Sequence, residues 1–192
     1  MQETRSGGSF FVCYGQMELR GPRLLLRSPR LEDAEALFAL MSDPELAPLV
    51  YWNPHQSLQE TYQYLEHLQA KEGFFIIETE GQPAGVIGLH LDWPNKLGET
   101  ETWLGRPYWG TGLNTEAKVV LFDFAFGPWD LRRIQAIAHV HNPRSQRALE
   151  KLGFRREGLL RRWRWIRGEP WDFYMYSLLP EEWIYSRPPI FY

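Results

Sequence analysis

A single cysteine, Cys13, stands in 192 residues, so neither an internal disulfide nor a multi-cysteine metal site can form, and nothing demands an oxidising compartment. No apolar run reaches the length of a membrane span, and the N-terminus lacks the basic patch and uninterrupted apolar stretch that export requires. No charge of one sign dominates. Lys and Arg number 21 against 24 Asp and Glu, a net charge of −3, which removes the global electrostatic case for nucleic acid or an anionic membrane as partner. There is no internal repeat and no linker dividing the chain. A cytoplasmic protein is the expectation, with residues 1–15 as an extension and residues 16–192 as one domain. Aromatic residues are plentiful, nine of them Trp, and they line a groove or fill a core.

Periodicity divides the chain into short elements. Arg23 to Arg27 reads as a strand, and Ser28-Pro29 introduces a helix from Leu31 to Met41. Ser57-Leu58-Gln59-Glu60 is a capping box that opens a second helix. Between these helices, Tyr51, Trp52 and His55 form either a substrate wall or packing, with packing favoured. Phe74–Glu78 and Ala84–Leu89 flank Glu80-Gly81-Gln82 as a hairpin. The strand from Leu97 to Leu104 places Glu99, Glu101 and Trp103 on one face, with the carboxylates about 7 Å apart. A helix with an apolar stripe of Leu113, Ala117, Val120, Leu121 and Phe124 ends at Gly127-Pro128. A strand over Arg133–Val140 precedes Asn142-Pro143, an N-cap and first-turn proline, and a helix that stops at Gly153. Leu159–Ile166 and Trp171–Leu178 close the chain as a hairpin. The β–α–β–α order around residues 97–152 implies a parallel pair covered by helices.

The stretch Trp103 to Ala117 organises the rest. A strand enters a Gly-x-Gly turn, Gly110-Thr111-Gly112, and a helix begins at once. Unpaired N–H groups and the helix dipole converge there, which suits a phosphate, although such turns also occur where nothing binds.

Three features together resemble the GNAT superfamily of N-acetyltransferases, within it the RimJ/RimL-like branch. They are Tyr108–Gly112 with Asn114-Thr115-Glu116-Ala117 behind it, Asn142-Pro143-Arg144-Ser145, and the run Leu149 to Gly158. The resemblance implies an α/β fold of three layers: a largely antiparallel central sheet, one parallel β-α-β unit at its centre, and helices on both faces. It implies acetyl-CoA as co-substrate, its pyrophosphate held by Gly110, Thr111, Gly112, Leu113 and Asn114. The strand ending at Trp103-Leu104 resembles the one that splays from its neighbour and bonds the pantetheine and acetyl carbonyl. Asn142 and Arg147, with Arg144 beside them, are further candidates for cofactor contact. The family often has Gln or Arg three residues before the first glycine, where this chain has Pro107.

Acetyl transfer to an amine requires a neutral amine, support for an oxyanion and protonation of the departing thiolate. The tyrosine that protonates thiolate in many members falls on Leu149 here, so Ser145 inherits that role by resemblance. Glu101, then Glu99, are the candidates for base. The acceptor is a protein N-terminus or a small-molecule amine. The rival reading is a non-catalytic acyl-CoA-binding or RNA-associated module, prompted by Leu149, Pro107 and the basic, aromatic stretch Arg161–Arg167. His139 and His141 share a strand face, but without further ligands they do not specify a metal site. A homodimer is left open by the resemblance and by the aromatics from Trp183 to Tyr192.

Overall fold

The computed structural model describes residues 10–13, 16–46 and 50–189. Its contacts gather into two compact units, one comprising Met1–Gly88, Thr102–Phe124 and Ile190–Tyr192, the other Leu89–Glu101 and Ala125–Pro189. No helix among the described residues is long and apolar enough to cross a membrane.

In the first unit, β1 (Phe10–Cys13), β2 (Gln16–Arg20), β3 (Leu25–Arg27), β4 (Phe74–Thr79) and the start of β5 (Gln82–Asp92) pair in that order, each antiparallel to the next. The β4–β5 hairpin turns through Glu80 at φ 51° and Gly81 at φ 74°, the left-handed pair that suits the twist of a two-residue loop. The end of β6 (Leu97–Leu104) lies beside β5, and the Gly105 N–H donates to the Ala84 carbonyl at 2.9 Å. The Cβ of any larger residue at Gly85 would collide with the Trp103 carbonyl. Alternation sorts the two faces: Phe74, Ile76, Val86 and Trp103 join Ala34, Leu37 and Met41 of α1 (Ala34–Met41) and Leu65 and Leu68 of α2 (Leu58–Gln69) in one core. Phe75, Ile77 and Ile87 are buried on the opposite face. Beyond β6, α3 (Leu113–Phe126) begins.

Arg27 is the one strongly buried arginine described in this unit, and it is fully engaged. Its Nη2 and Nη1 meet the Asp33 carboxylate at 2.6 and 2.9 Å, and its Nε donates to Glu78. Burial alone would lower its pKa, but the bonds to Asp33 and Glu78 outweigh that and raise it.

In the second unit the order is β5-β6-β7-β9-β8, with β7 Arg133–His139, β8 Arg155–Ile166 and β9 Glu169–Leu178. The β6–β7 pair is the parallel one, and its ladder spans Leu97↔Arg133 to Glu99↔Gln135. It ends there, although β6 runs on to Leu104 and β7 to His139. Ile134, Ala136 and Ala138 turn to the core beside Tyr176 and Leu178 of β9. α4 (Pro143–Lys151) follows β7, and α5 (Pro180–Ser186) closes the unit.

The mixed sheet with one parallel pair is as the motif order implies, and several local expectations are corrected. The opening strand begins at Leu25, because Gly21 and Leu24 close a turn (N–H to carbonyl, 2.9 Å) that contains Arg23. β1 and β2 were not anticipated: β1 lies within residues read as an extension, and residues 1–9 and 14–15 are outside the described residues. β8 starts at Arg155, with register shifts at Arg156/Gly158 and Leu160/Arg164 that break a two-residue period. The C-terminal aromatics are not uniformly a surface. Trp183 is buried in α5, whereas Ile184 and Tyr185 of that helix are exposed; residues 190–192 lie outside the described set.

Candidate functional site

The glycine turn belongs to the first unit. After β6, a single 3₁₀ turn over Arg106–Tyr108 leads to Trp109, whose Nε1–H donates back to the Leu104 carbonyl at 2.8 Å and fixes the corner. Gly110 and Gly112 have φ of 76° and 84°, left-handed conformations that side chains disfavour. A Cβ at Gly110 would meet nothing within 4 Å, so the space above it is open to a ligand. The Thr111 hydroxyl donates to the Tyr108 carbonyl at 2.8 Å, and the Leu113 N–H reaches that hydroxyl only at 3.4 Å. The Glu116 N–H donating to the Gly112 carbonyl at 3.1 Å is the first bond of the helix ladder. The N–H groups before it belong to the set that a helix start leaves for capping or a ligand.

Asn114, in the first turn of α3, has a buried Oδ1 with no hydrogen-bond partner. Buried orphan acceptors are rare and costly, and a ligand amide or hydroxyl would satisfy this one. Glycine clearance, helix-end donors and the orphan amide together fit the phosphate and amide chemistry of a CoA thioester. The five residues Gly110 to Asn114 run from the glycine turn into the first turn of α3.

Trp103 and Leu104, at the end of β6, are both buried. The Trp103 Nε1–H donates to the Tyr64 hydroxyl at 3.0 Å, and its ring meets Trp52 edge-on at 5.7 Å. His55 lies 5.6 Å from Trp52 and 5.9 Å from Tyr64, with Nδ1 2.9 Å from the Thr61 hydroxyl. Burial lowers the His55 pKa, with Glu60 acting weakly the other way. Trp52 thus packs on the core, as the packing reading of this loop expects.

The remaining candidates lie in the second unit. Glu101 pairs with His90 on β5 (Oε2 to Nε2, 2.9 Å), both about half exposed. Glu99 accepts from Gln135 Nε2 at 2.9 Å and stands 3.8 Å from Arg164. Glu101 therefore has an imidazole beside it, and Glu99 an amide and a guanidinium, partners that lie on other strands or beyond the reach of a single-strand pattern. His90 was not singled out, because hairpin register, which brings it beside Glu101, cannot be read from one strand alone.

Asn142 is the N-cap of α4, its side chain accepting from the Ser145 N–H at 3.0 Å. The Ser145 hydroxyl is half-buried and has no partner among the described residues. Arg147 is exposed, and Leu149 is buried. His139 stacks on Trp171 at 4.1 Å, with His141 5.3 Å away; its pKa is lowered by burial and by His141. No group of three metal ligands occurs among the described residues. In the basic strand, Trp163 and Trp165 are exposed.

Residues 23–155 match the family model described as an acetyltransferase (GNAT) domain. The chain is 33% identical over 168 residues to an uncharacterized N-acetyltransferase, p20, of Bacillus licheniformis, covering 83% of this chain and 94% of that protein. It is 26% identical over 144 residues to spermidine N(1)-acetyltransferase of Escherichia coli strain K12, covering 72% and 77%. Among solved structures, a GNAT-family acetyltransferase from Bacillus anthracis superposes with a TM-score of 0.79 at 26% identity, covering 86% of this chain and 99% of the other.

Proposed function

We propose, from the premise that the chain belongs to the GNAT acetyltransferase family, that acetyl-CoA is its acetyl donor and a primary amine its acceptor, joined by direct attack of the amine on the thioester. The observation that carries the reading is the turn itself: two left-handed glycines with open space above Gly110, followed by a helix whose first turn holds the orphaned Asn114 Oδ1, an acceptor for a ligand N–H or O–H. Gly110, Thr111, Gly112, Leu113 and Asn114 take the pyrophosphate through their backbone N–H groups. Trp103 and Leu104 lie beside the thioester arm, and Asn142 and Arg147 make further cofactor contacts.

For the chemistry, acetyl-CoA supplies an activated acyl group, and the chain must manage two protons. Glu101 takes the amine proton, its orientation fixed by His90, and Glu99 helps draw in a cationic acceptor. Ser145, with its hydroxyl uncommitted, gives a proton to the thiolate. The spermidine relative makes polyamines one class of acceptor to try; a protein N-terminus, as the RimJ/RimL-like resemblance implies, is the other. The lone Cys13 fits the reducing cytoplasm.

The test is turnover with acetyl-CoA against polyamines and N-terminal peptides. Glu101→Gln is expected to lower kcat on the order of 10²-fold, the usual worth of a positioned base, with the KM for acetyl-CoA unchanged. Ser145→Ala is expected to lower kcat as well, and unchanged kcat at saturating acceptor removes serine from the mechanism.

A further inference from the structure

The phosphate turn lacks a basic side chain where the family often has one: Pro107 stands there. An arginine distant in sequence stands over the turn instead. Arg23, in the bend before β3, is held on two sides by the buried carboxylate of Glu116 in α3. Its backbone N–H donates to Oε1 at 2.8 Å and its Nε–H to Oε2 at 2.7 Å. Its Nη1 donates to the Thr111 carbonyl at 3.0 Å, inside the glycine turn. Its Nη2 lies 3.5 Å from where a Cβ on Gly112 would stand and has no acceptor among the described residues. The Arg23 side chain is 54% exposed, while that of Glu116 is 5% exposed.

A guanidinium carries five N–H donors. Glu116 and Thr111 use one each through the side chain, which leaves three, directed by a rigid planar fork. Because Glu116 sits on the buried side, the ion pair presents its positive end outward, beside Gly112. Such an arrangement costs no reorganisation when an anion arrives, since the carboxylate and the carbonyl have already fixed the side chain.

We propose that Arg23 is a cofactor-binding residue that donates through Nη2 to the pyrophosphate of acetyl-CoA, in place of the basic residue absent at position 107. The inference rests on the acetyl-CoA reading above. Glu116 is then a positioning residue: it acts on the ligand only through Arg23.

The experiment is calorimetric titration of the full chain with acetyl-CoA and with 3′-dephospho-CoA. Arg23→Gln is expected to weaken both about 10- to 100-fold, the range for losing a hydrogen bond to a charged group. Equal loss with both ligands assigns the contact to the pyrophosphate. An unchanged Kd, or a loss seen only when the 3′-phosphate is present, overturns the assignment. If the wild-type chain binds neither ligand, the acetyl-CoA reading itself falls, and this inference with it. A second measurement needs no variant: saturating CoA is expected to slow phenylglyoxal modification of Arg23 in the wild-type chain, read by peptide mass spectrometry, whereas pantetheine, which lacks the phosphates, is not. Equal modification rates with and without CoA contradict the proposal. An arginine with a purely structural role would respond to neither ligand.

Discussion

Lys118 shows how far a single residue can depart from its sequence pattern. It lies off the apolar stripe of α3, so a helix wheel assigns it to solvent, yet it is only 7% exposed. The reason is that α3 is buried around nearly its whole circumference from Glu116 to Ala125, and amphipathicity is informative only for a helix with a wet side. Burial alone lowers the Lys118 pKa to about 8. Between about pH 8 and its ordinary value of 10.5, the unfolded chain binds a proton that the folded chain does not, so this group makes stability rise with pH across that window. Below about pH 8 the cost of the buried charge is fully present, on the order of 3 kcal/mol. Lys118→Met is therefore expected to raise stability at pH 7 by about 1–3 kcal/mol, with the gain over wild type fading by about pH 10.5. Urea unfolding at several pH values measures this, and a destabilised variant at pH 7 contradicts it. Arg23 was equally hidden: it reads as strand, and only the turn at Gly21–Leu24 reveals that its side chain runs to Glu116.

At the scale of elements, legibility follows how local the determining interaction is. The caps at Asn142 and Ser57 and the Glu80-Gly81 hairpin turn all lie within a few residues of the structure they set, and each is where the sequence puts it, although Glu60 reaches back to the Gln56 N–H rather than closing the full capping box on Ser57. The pair β1–β2, the early start of β8 and the pairing of His90 with Glu101 depend on register or on distant partners, and none was anticipated. Asn142 carries two roles that can be separated. Asn142→Ala removes the bond to the Ser145 N–H and is expected to cost about 1 kcal/mol in unfolding free energy. Asn142→Asp keeps the cap and is expected to retain most of that stability while weakening acetyl-CoA, because a carboxylate cannot replace an amide donor. If the aspartate variant binds acetyl-CoA like wild type, Asn142 is a cap and nothing more.

At the scale of the whole molecule, the order of elements carried the fold. One parallel strand pair joined through a helix, set among antiparallel hairpins, follows from the β–α–β–α order at residues 97–152, and the family match over residues 23–155 agrees with it. The identity of the acceptor is not written in that order, because GNAT relatives with the same sequence of elements carry different acceptors and the choice rests on side chains that spacing alone does not bring together. The donor is a different matter, since the elements proposed to bind it are the turn and helix end, which spacing does specify. The central claim, that this turn holds acetyl-CoA, is tested most directly by calorimetric titration of the purified chain, wild type against Gly112→Trp, with circular dichroism to verify folding. The account predicts one-site micromolar binding to wild type, lost when the indole fills the space over the turn. Folded wild-type protein that releases no heat of binding, or a Gly112→Trp variant that binds as tightly as wild type, would contradict it.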